Sequence, residues 1–374
     1  MKGKAFAYGR KKRLNTEIGG VSATIITASD LATILDIPIG RINDFVIVGT
    51  DVKCNITGNY EIPVNAFRSN TSLTSFIDND GLVTKINNSA FYNCTSATNY
   101  NFPNVSNIES SSAGSANGTF QNNTSLISLS FPSLTVLSGT GSCFFGCSNL
   151  TTFSAPIFSN SIPNATFYFC YVLEFLTLTI NGDVSDGAFA YCQKITSVDL
   201  TLATSIGTFS FGFCILLEGH ITANNSLSIG DSAFASTKIT GITANSCTVI
   251  GESCFRDLNT LTTVNLPNLL TINNGVAFNT GAFQNCNGIT DLSFPLLTSI
   301  NGTWCFESML NITSISMPSL TTLGNTTGDD SIFAFIKTNC SITVPLALAT
   351  VSGGSPDGDL VYAITSRTAT VTYV

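Results

Sequence analysis

A chain of 374 residues is long enough for two ordinary domains or for one long repeat array. Hydrophobic residues make up 44% and charged residues only 10%, against a usual charged share of roughly 25%, so a large core lies under a surface of Ser, Thr and Asn. Six of the 15 basic residues fall within the first 13 positions; the rest of the chain sets nine basic residues against 23 acidic ones, near −14, which disfavours nucleic acid or an anionic membrane as a partner of the body.

Lys2, Lys4, Arg10, Lys11, Lys12 and Arg13 form a basic arm over residues 1–13. Its plain reading is a flexible, solvated tail; its alternatives are attraction to nucleic acid or an anionic membrane surface, or docking onto other proteins of an assembly. A signal peptide needs an apolar run of about 7–15 residues after such a start, and Asn15, Thr16 and Glu17 break any such run. No stretch approaches the roughly 18–20 apolar residues of a membrane span. Neither a cleaved leader nor a transmembrane anchor is therefore expected. Residues 14–61 form the expected N-terminal cap. Ser29 is placed to cap a short helix through Ile34 or Leu35, ended by Pro38. Phe45 to Val48 reads as the first strand.

From Phe67 onward one pattern recurs: Ala-Phe-x-x-Cys-x-x-Leu-x-x-Leu-x-Leu-Pro. It is clearest at Ala282, Phe283, Cys286, Ile289, Leu292, Phe294 and Pro295, and again at Ala90, Phe91, Cys94, Ala97, Tyr100, Phe102 and Pro103. The series runs on through Phe120, Phe144, Phe167, Phe189, Phe211, Phe234, Phe255 and Phe306 to Phe333, with spacings of 21 to 29 residues around a period of 23. Each copy predicts one coil. An alternating segment such as Leu292-Ser293-Phe294 is a short strand, and the Ala-Phe-x-x-Cys stretch is a helical or 3-10 turn leading to the next. One coil cannot bury its own apolar side, so coils stack and their strands form a parallel sheet. The predicted fold is a repeat solenoid of about 12 coils over residues 62–345, with the sheet on one face and short turns on the other.

The signature resembles the BspA-like, or Treponema pallidum type, leucine-rich repeats. The resemblance implies a horseshoe or gently curved solenoid, frequent roles in adhesion to host proteins or cell surfaces, and no catalytic residues. Members occur in bacteria, parasitic protists and phages. Residues 346–374 are the expected C-terminal cap. Within them Pro356-Asp357-Gly358-Asp359 starts a turn or helix, Leu360 to Ile364 reads as a short helix, and Thr368 to Tyr373 alternates as a strand. This end resembles caps that follow such repeats in proteins encoded by phages of Bacteroidetes-type bacteria.

Three repeats carry extra residues before the next Phe: Glu109 to Asn117, Asn273 to Asn279, and Asn325 to Asp330. Such insertions go to one edge of a solenoid, where they serve either as contact surface or as tolerated slack. The candidate ligand contacts are accordingly Glu109, Ser111, Ser115, Asn117, Asn273, Asn274, Asn279, Asn325, Asp329 and Asp330.

No catalytic, cofactor or metal site is expected. Cys94, Cys147, Cys170, Cys192, Cys214 and Cys286 share one repeat position, while Cys143, Cys254 and Cys305 occupy the slot before Phe. That register favours buried thiols acting as small hydrophobes, with structural disulfides between neighbouring coils as the alternative. Cys143-x-x-x-Cys147 lacks a second pair at zinc-like spacing. His220, the sole histidine, falls in a strand slot that other copies fill with apolar residues. Either the strand shifts register by one so that Ile221 points inward, or the coil is polar. The expected function is that of a non-catalytic protein of a virion or the extracellular space, binding a cell-surface protein or glycan. A purely structural capsid or tail decoration is the alternative.

Overall fold

A computed structural model describes residues 28–36, 42–48, 51–56, 59–78, 81–110, 118–273, 280–324, 332–350 and 358–374. The chain divides into two compact units, Met1–Ile180 with Tyr191–Ile195, and Asn181–Ala190 with Thr196–Val374. Each unit is a stretch of parallel β-solenoid.

The first unit holds α1 (Ala28–Leu35), β1 (Ile42–Val48), β2 (Asp51–Ile56), β3 (Tyr60–Ile62), β4 (Ser75–Asp78), β5 (Val83–Ile86), β6 (Asn99–Asn101), β7 (Asn107–Ser110), β8 (Ser128–Ser130), β9 (Val136–Gly139), β10 (Thr152–Ile162) and the start of β11 (Phe175–Val184). After the antiparallel pair β1–β2, every pairing is parallel. β2, β4 and β6 follow one another in one sheet, β3, β5, β7 and β9 in another, and β8 pairs with β10. The helix begins at Ala28, so Ser29 lies inside its first turn, where its carbonyl accepts from the Thr33 hydroxyl at 2.7 Å. The expected cap position is thus corrected by one residue or more. The end of the helix at Leu35 is as expected.

In the second unit, the end of β11 pairs in parallel with β12 (Leu202–Ile206). Then come β13 (Glu218–Thr222), β14 (Ser228–Ile229), β15 (Lys238–Thr243), β16 (Val249–Ile250), β17 (Thr263–Asn265), β18 (Thr271–Asn273), β19 (Asp291–Ser293), β20 (Ser299–Asn301), β21 (Ser314–Ser316), β22 (Thr322–Leu323), β23 (Ser341–Val344), a 3-10 turn (Leu346–Thr350), α2 (Gly358–Arg367) and β24 (Thr370–Tyr373). The even-numbered strands β12 to β22 form one parallel ladder. On the other side, β13–β15–β17 and β19–β21–β23–β24 form two more.

The recurring phenylalanines make the core. Phe67, Phe91, Phe120, Phe144 and Phe167 are fully buried and stack ring on ring at 5.2, 5.2, 5.6 and 5.3 Å. In the second unit the file from Phe189 to Phe333 repeats this at 5.3 to 6.0 Å. Offset stacking of this kind adds to the area each ring buries. The first unit has a second file, Phe76, Phe102, Phe131 and Phe153, set against the first.

The turn carrying each Phe is a string of tight turns with i→i+3 bonds of the 3-10 kind. Around Phe91, the Ala90 and Tyr92 amides donate to Asn87 and Ser89 within the coil, both at 3.2 Å. The Phe91 and Asn93 amides instead donate to Thr119 and Gln121 of the following coil, at 2.9 and 2.7 Å. This alternation requires left-handed backbone two residues before and two after the Phe: Ser89 and Asn93 both have φ of 57°. Small polar residues adopt that region at least cost.

The geometry also explains the cysteines. The Phe carbonyl faces the next coil, where a side chain and not a backbone amide meets it. The Cys94 thiol donates to the Phe67 carbonyl at 3.0 Å, and Cys147, Cys170 and Cys192 donate to Phe120, Phe144 and Phe167 at 3.1 to 3.2 Å. In the second unit Cys214 and Cys286 donate to Phe189 and Phe255. The eleven cysteines from Cys94 to Cys340 are buried thiols.

Two of the long insertions rejoin the coil at a glycine. A Cβ on Gly118 would lie 1.6 Å from the Ser142 carbonyl oxygen, and one on Gly281 would lie 1.7 Å from that of Trp304. No side chain fits at either point.

At the C-terminal end, α2 starts within the Asp-Gly-Asp turn and β24 pairs with β23, as the alternation predicts. Buried Asp359 accepts from the Ile332 amide at 2.9 Å, and Arg367 donates from Nε to the Ile336 carbonyl at 2.7 Å. Asp359→Ala leaves that amide unpaired, which costs about 1–3 kcal/mol. We expect faster hydrogen exchange at Ile332 and in β24, with exchange in the first unit unchanged. Equal acceleration in both units would contradict this local role.

Candidate binding surface

On the last sheet of the second unit the outward side chains are short and, Asp291 apart, uncharged. On β19, β21, β23 and β24 the in-register rows are Asp291, Ser314, Ser341 and Thr370, then Ser293, Ser316, Thr343 and Thr372. The inward row between them is Leu292, Ile315, Ile342 and Val371. Asp291 ties this face together: it accepts from the Ser314 hydroxyl at 2.6 Å, from Thr290 at 2.8 Å and from Thr313 at 3.0 Å, and these donors hold its carboxyl below the usual carboxylate range.

His220 resolves as the register-shift alternative. A bulge between Gly219 and His220 turns Ile221 into the core and puts the imidazole outside, 2.9 Å from the Thr243 hydroxyl. Its ring lies over Gly241, where a Cβ would come within 2.2 Å of Nδ1. Among the described residues no three His, Cys, Asp or Glu side chains gather as metal ligands do, and no helix is long and apolar enough to cross a membrane.

Of the insertion-edge candidates, Glu109 lies in β7 and pairs with Lys85 Nζ at 2.6 Å. So exposed a pair contributes well under about 1 kcal/mol, which leaves both groups open to exchange partners. Asn273 ends β18 and accepts from Asn301 Nδ2 at 3.0 Å. Ser111, Ser115, Asn117, Asn274, Asn279, Asn325, Asp329 and Asp330 lie outside the described residues.

The surface feature that sequence reading missed is aromatic. In the first unit, next to the buried Phe144 and Phe167, stand Phe145, Tyr168, Phe169, Tyr171 and Tyr191. Phe145 stacks on Tyr168 at 5.3 Å. Phe169 meets Phe145, Tyr171 and Tyr191 at 5.5, 5.5 and 5.1 Å. Tyr171 is exposed and the others are half-buried. Desolvation by this packing, followed by Tyr191 and Tyr171, pushes the Tyr168 phenol up. The signal was present in the sequence as aromatics one, two and four places after the repeat Phe.

A family model described as BspA type leucine rich repeat region matches in six copies over residues 60–196, 182–281 and 270–354. Among solved structures, a leucine rich cell surface protein from Faecalibacterium prausnitzii A2-165 is 20% identical with a TM-score of 0.45, covering 84% of this chain and 89% of that one. A leucine-rich repeat protein from Bacteroides ovatus ATCC 8483 is 17% identical with a TM-score of 0.44, covering 88% and 98%. No curated protein matches the chain.

Proposed function

Because the chain belongs to the BspA type leucine rich repeat family, we propose that it is a non-catalytic binding protein that attaches to a macromolecule on a cell surface, acting outside the cell or as part of a virion. The observation that carries this reading is the aromatic cluster around Phe169. Five contiguous rings, one exposed and four half-buried, on a surface otherwise rich in Ser, Thr and Asn make the kind of patch that partner surfaces use. The hydroxyl rows of that last sheet support it, because they offer hydrogen-bonding groups on a rigid frame without charge-driven stickiness.

The test is saturable binding of purified, labelled chain to intact bacterial and animal cells. Binding that competes with unlabelled chain is expected. Its absence on every cell type, together with no association with virions, removes the reading.

One observation favours a second reading, a structural part of a larger particle. Among the described residues no strand pairs with the outer edge of β24, and Val371 and Tyr373 on it are only half-covered. A free, uncharged edge is a template for another strand. Deleting Glu109 to Asn117 separates the two readings. Lost cell binding with intact particles supports attachment, and failed particle assembly supports the structural role.

A further inference from the structure

The outer edge of β24 can be read group by group. The amides of Thr370 and Val374 donate to the Cys340 and Val344 carbonyls along β23, at 2.9 and 3.0 Å. A strand residue turns its amide and its carbonyl to the same side, and successive residues alternate. Thr370, Thr372 and Val374 therefore face β23, while Val371 and Tyr373 turn their amides and carbonyls outward. Among the described residues no backbone group pairs with those four.

The surroundings of this edge are apolar. The described charges of the terminal coil, Asp359 and Arg367, are engaged within it by the Ile332 amide and the Ile336 carbonyl. Val374 and Leu346, joined by the Leu346 amide at 2.8 Å, are 59% and 67% exposed. Val361 and Ile364 of α2, the helix that packs on β24, are exposed as well. One strand back, Ile342 and Val344 are sealed, whereas Val371 and Tyr373 are half-covered.

We propose that β24 pairs antiparallel with β24 of a second copy of this chain, across a two-fold axis at Thr372. The edge is complementary to itself. In that register Val371 of each copy stands opposite Tyr373 of the other, and each such pair exchanges two amide-to-carbonyl bonds, so four bonds join the strands. Val371 against Tyr373 is a β-branched and aromatic pair, and Thr372 meets Thr372 at the closely spaced position between them; both kinds of pair stabilise antiparallel strands. A chain of net charge −8 repels its own copies in general, and an edge without free charge is where two can meet. The contact is isologous and closes at two copies. It occupies the edge without any larger particle, and it stands apart from what the chain attaches to. Attachment through such a pair would be bivalent.

Sedimentation equilibrium of the full chain from about 1 to 100 μM tests this. The expected result is a monomer–dimer equilibrium with a limiting mass of twice 39.4 kDa. The Thr372 side chain is exposed, so Thr372→Lys and Thr372→Glu should melt at the parent temperature. Each variant alone sets two like charges against each other at the axis and should weaken pairing about tenfold or more. Mixed one to one, the two variants should again form dimers, made of one chain of each. A parent that stays monomeric to about 100 μM overturns the proposal. So do dimers that survive Thr372→Lys alone, or a mixture of the two variants that stays monomeric, because neither fits a register in which residue 372 meets itself. Species that keep growing beyond two copies also overturn it, since they need a head-to-tail contact that does not close.

Discussion

Raising the pH from 9 to 12 should unfold the chain, with the urea midpoint constant up to about pH 8.5 and falling steeply above it. Burial pushes the Cys94 and Cys147 thiols up from 9.0 to about 12, and Cys247 and Cys340 to about 11. Cys143, Cys170, Cys254 and Cys286 move in the same direction for the same reason. The folded form binds these protons more tightly than the unfolded form. The stability tied to them is therefore fully present below the unfolded value and is lost as pH rises toward the folded one. A three-unit shift corresponds to about 4 kcal/mol. Two fully buried thiols thus reach the range of a domain's total stability, about 5–15 kcal/mol. Far-UV circular dichroism in urea across the pH range measures this. The Cys94→Val/Cys147→Val variant should move the alkaline loss to higher pH. A midpoint that holds to pH 11 in the parent would show that the thiols are not sealed from solvent.

Asn123→Ala should be among the most damaging single substitutions in the first unit, at roughly 3–5 kcal/mol. Asn123 stands in the cysteine slot, fully buried. Its Nδ2 donates to the Phe91 and Phe120 carbonyls, both at 2.7 Å, and its Oδ1 accepts from the Tyr100 hydroxyl at 2.6 Å. Tyr100 fills a strand slot that the repeat pattern gives to Leu and that Phe76 and Phe153 fill with rings bearing no hydroxyl, and its own ring packs on Phe91 and Phe120 at 4.8 and 5.1 Å. The two departures from the repeat consensus compensate each other. Removing one orphans the other inside the core, while Tyr100→Leu/Asn123→Cys returns the coil to the common pattern. Urea titrations of the two singles and the double should give a coupling of about 2 kcal/mol or more. Additive losses would show that the pair does not act as a unit.

The two cases mark what the sequence could and could not tell. The period of Phe was enough to predict coils, parallel strands and a buried ring file, because burial of one repeated slot leaves a one-dimensional trace. The cysteines were readable as core thiols from their shared register. Their hydrogen bond to the preceding Phe carbonyl was not, since it depends on how the turn alternates its peptide planes. His220 was left with two outcomes because a bulge costs one residue of register and leaves no compositional mark. Phe169 and Tyr191 were passed over because they stand beside the repeat Phe and look like more core. Only their left-handed backbone and shared surface separate them from it. The edge chosen from the insertions yields Glu109 and Asn273 as described positions, and its contact role stays a proposal.

Gly118 and Gly281 have a further consequence. Each acts as a splice point: whatever length or composition precedes it, the chain must pass through the same narrow gap beneath a neighbouring carbonyl before the next Phe. A substitution at either glycine should therefore disturb the coil that follows it, because the neighbouring carbonyl leaves no room for a side chain there.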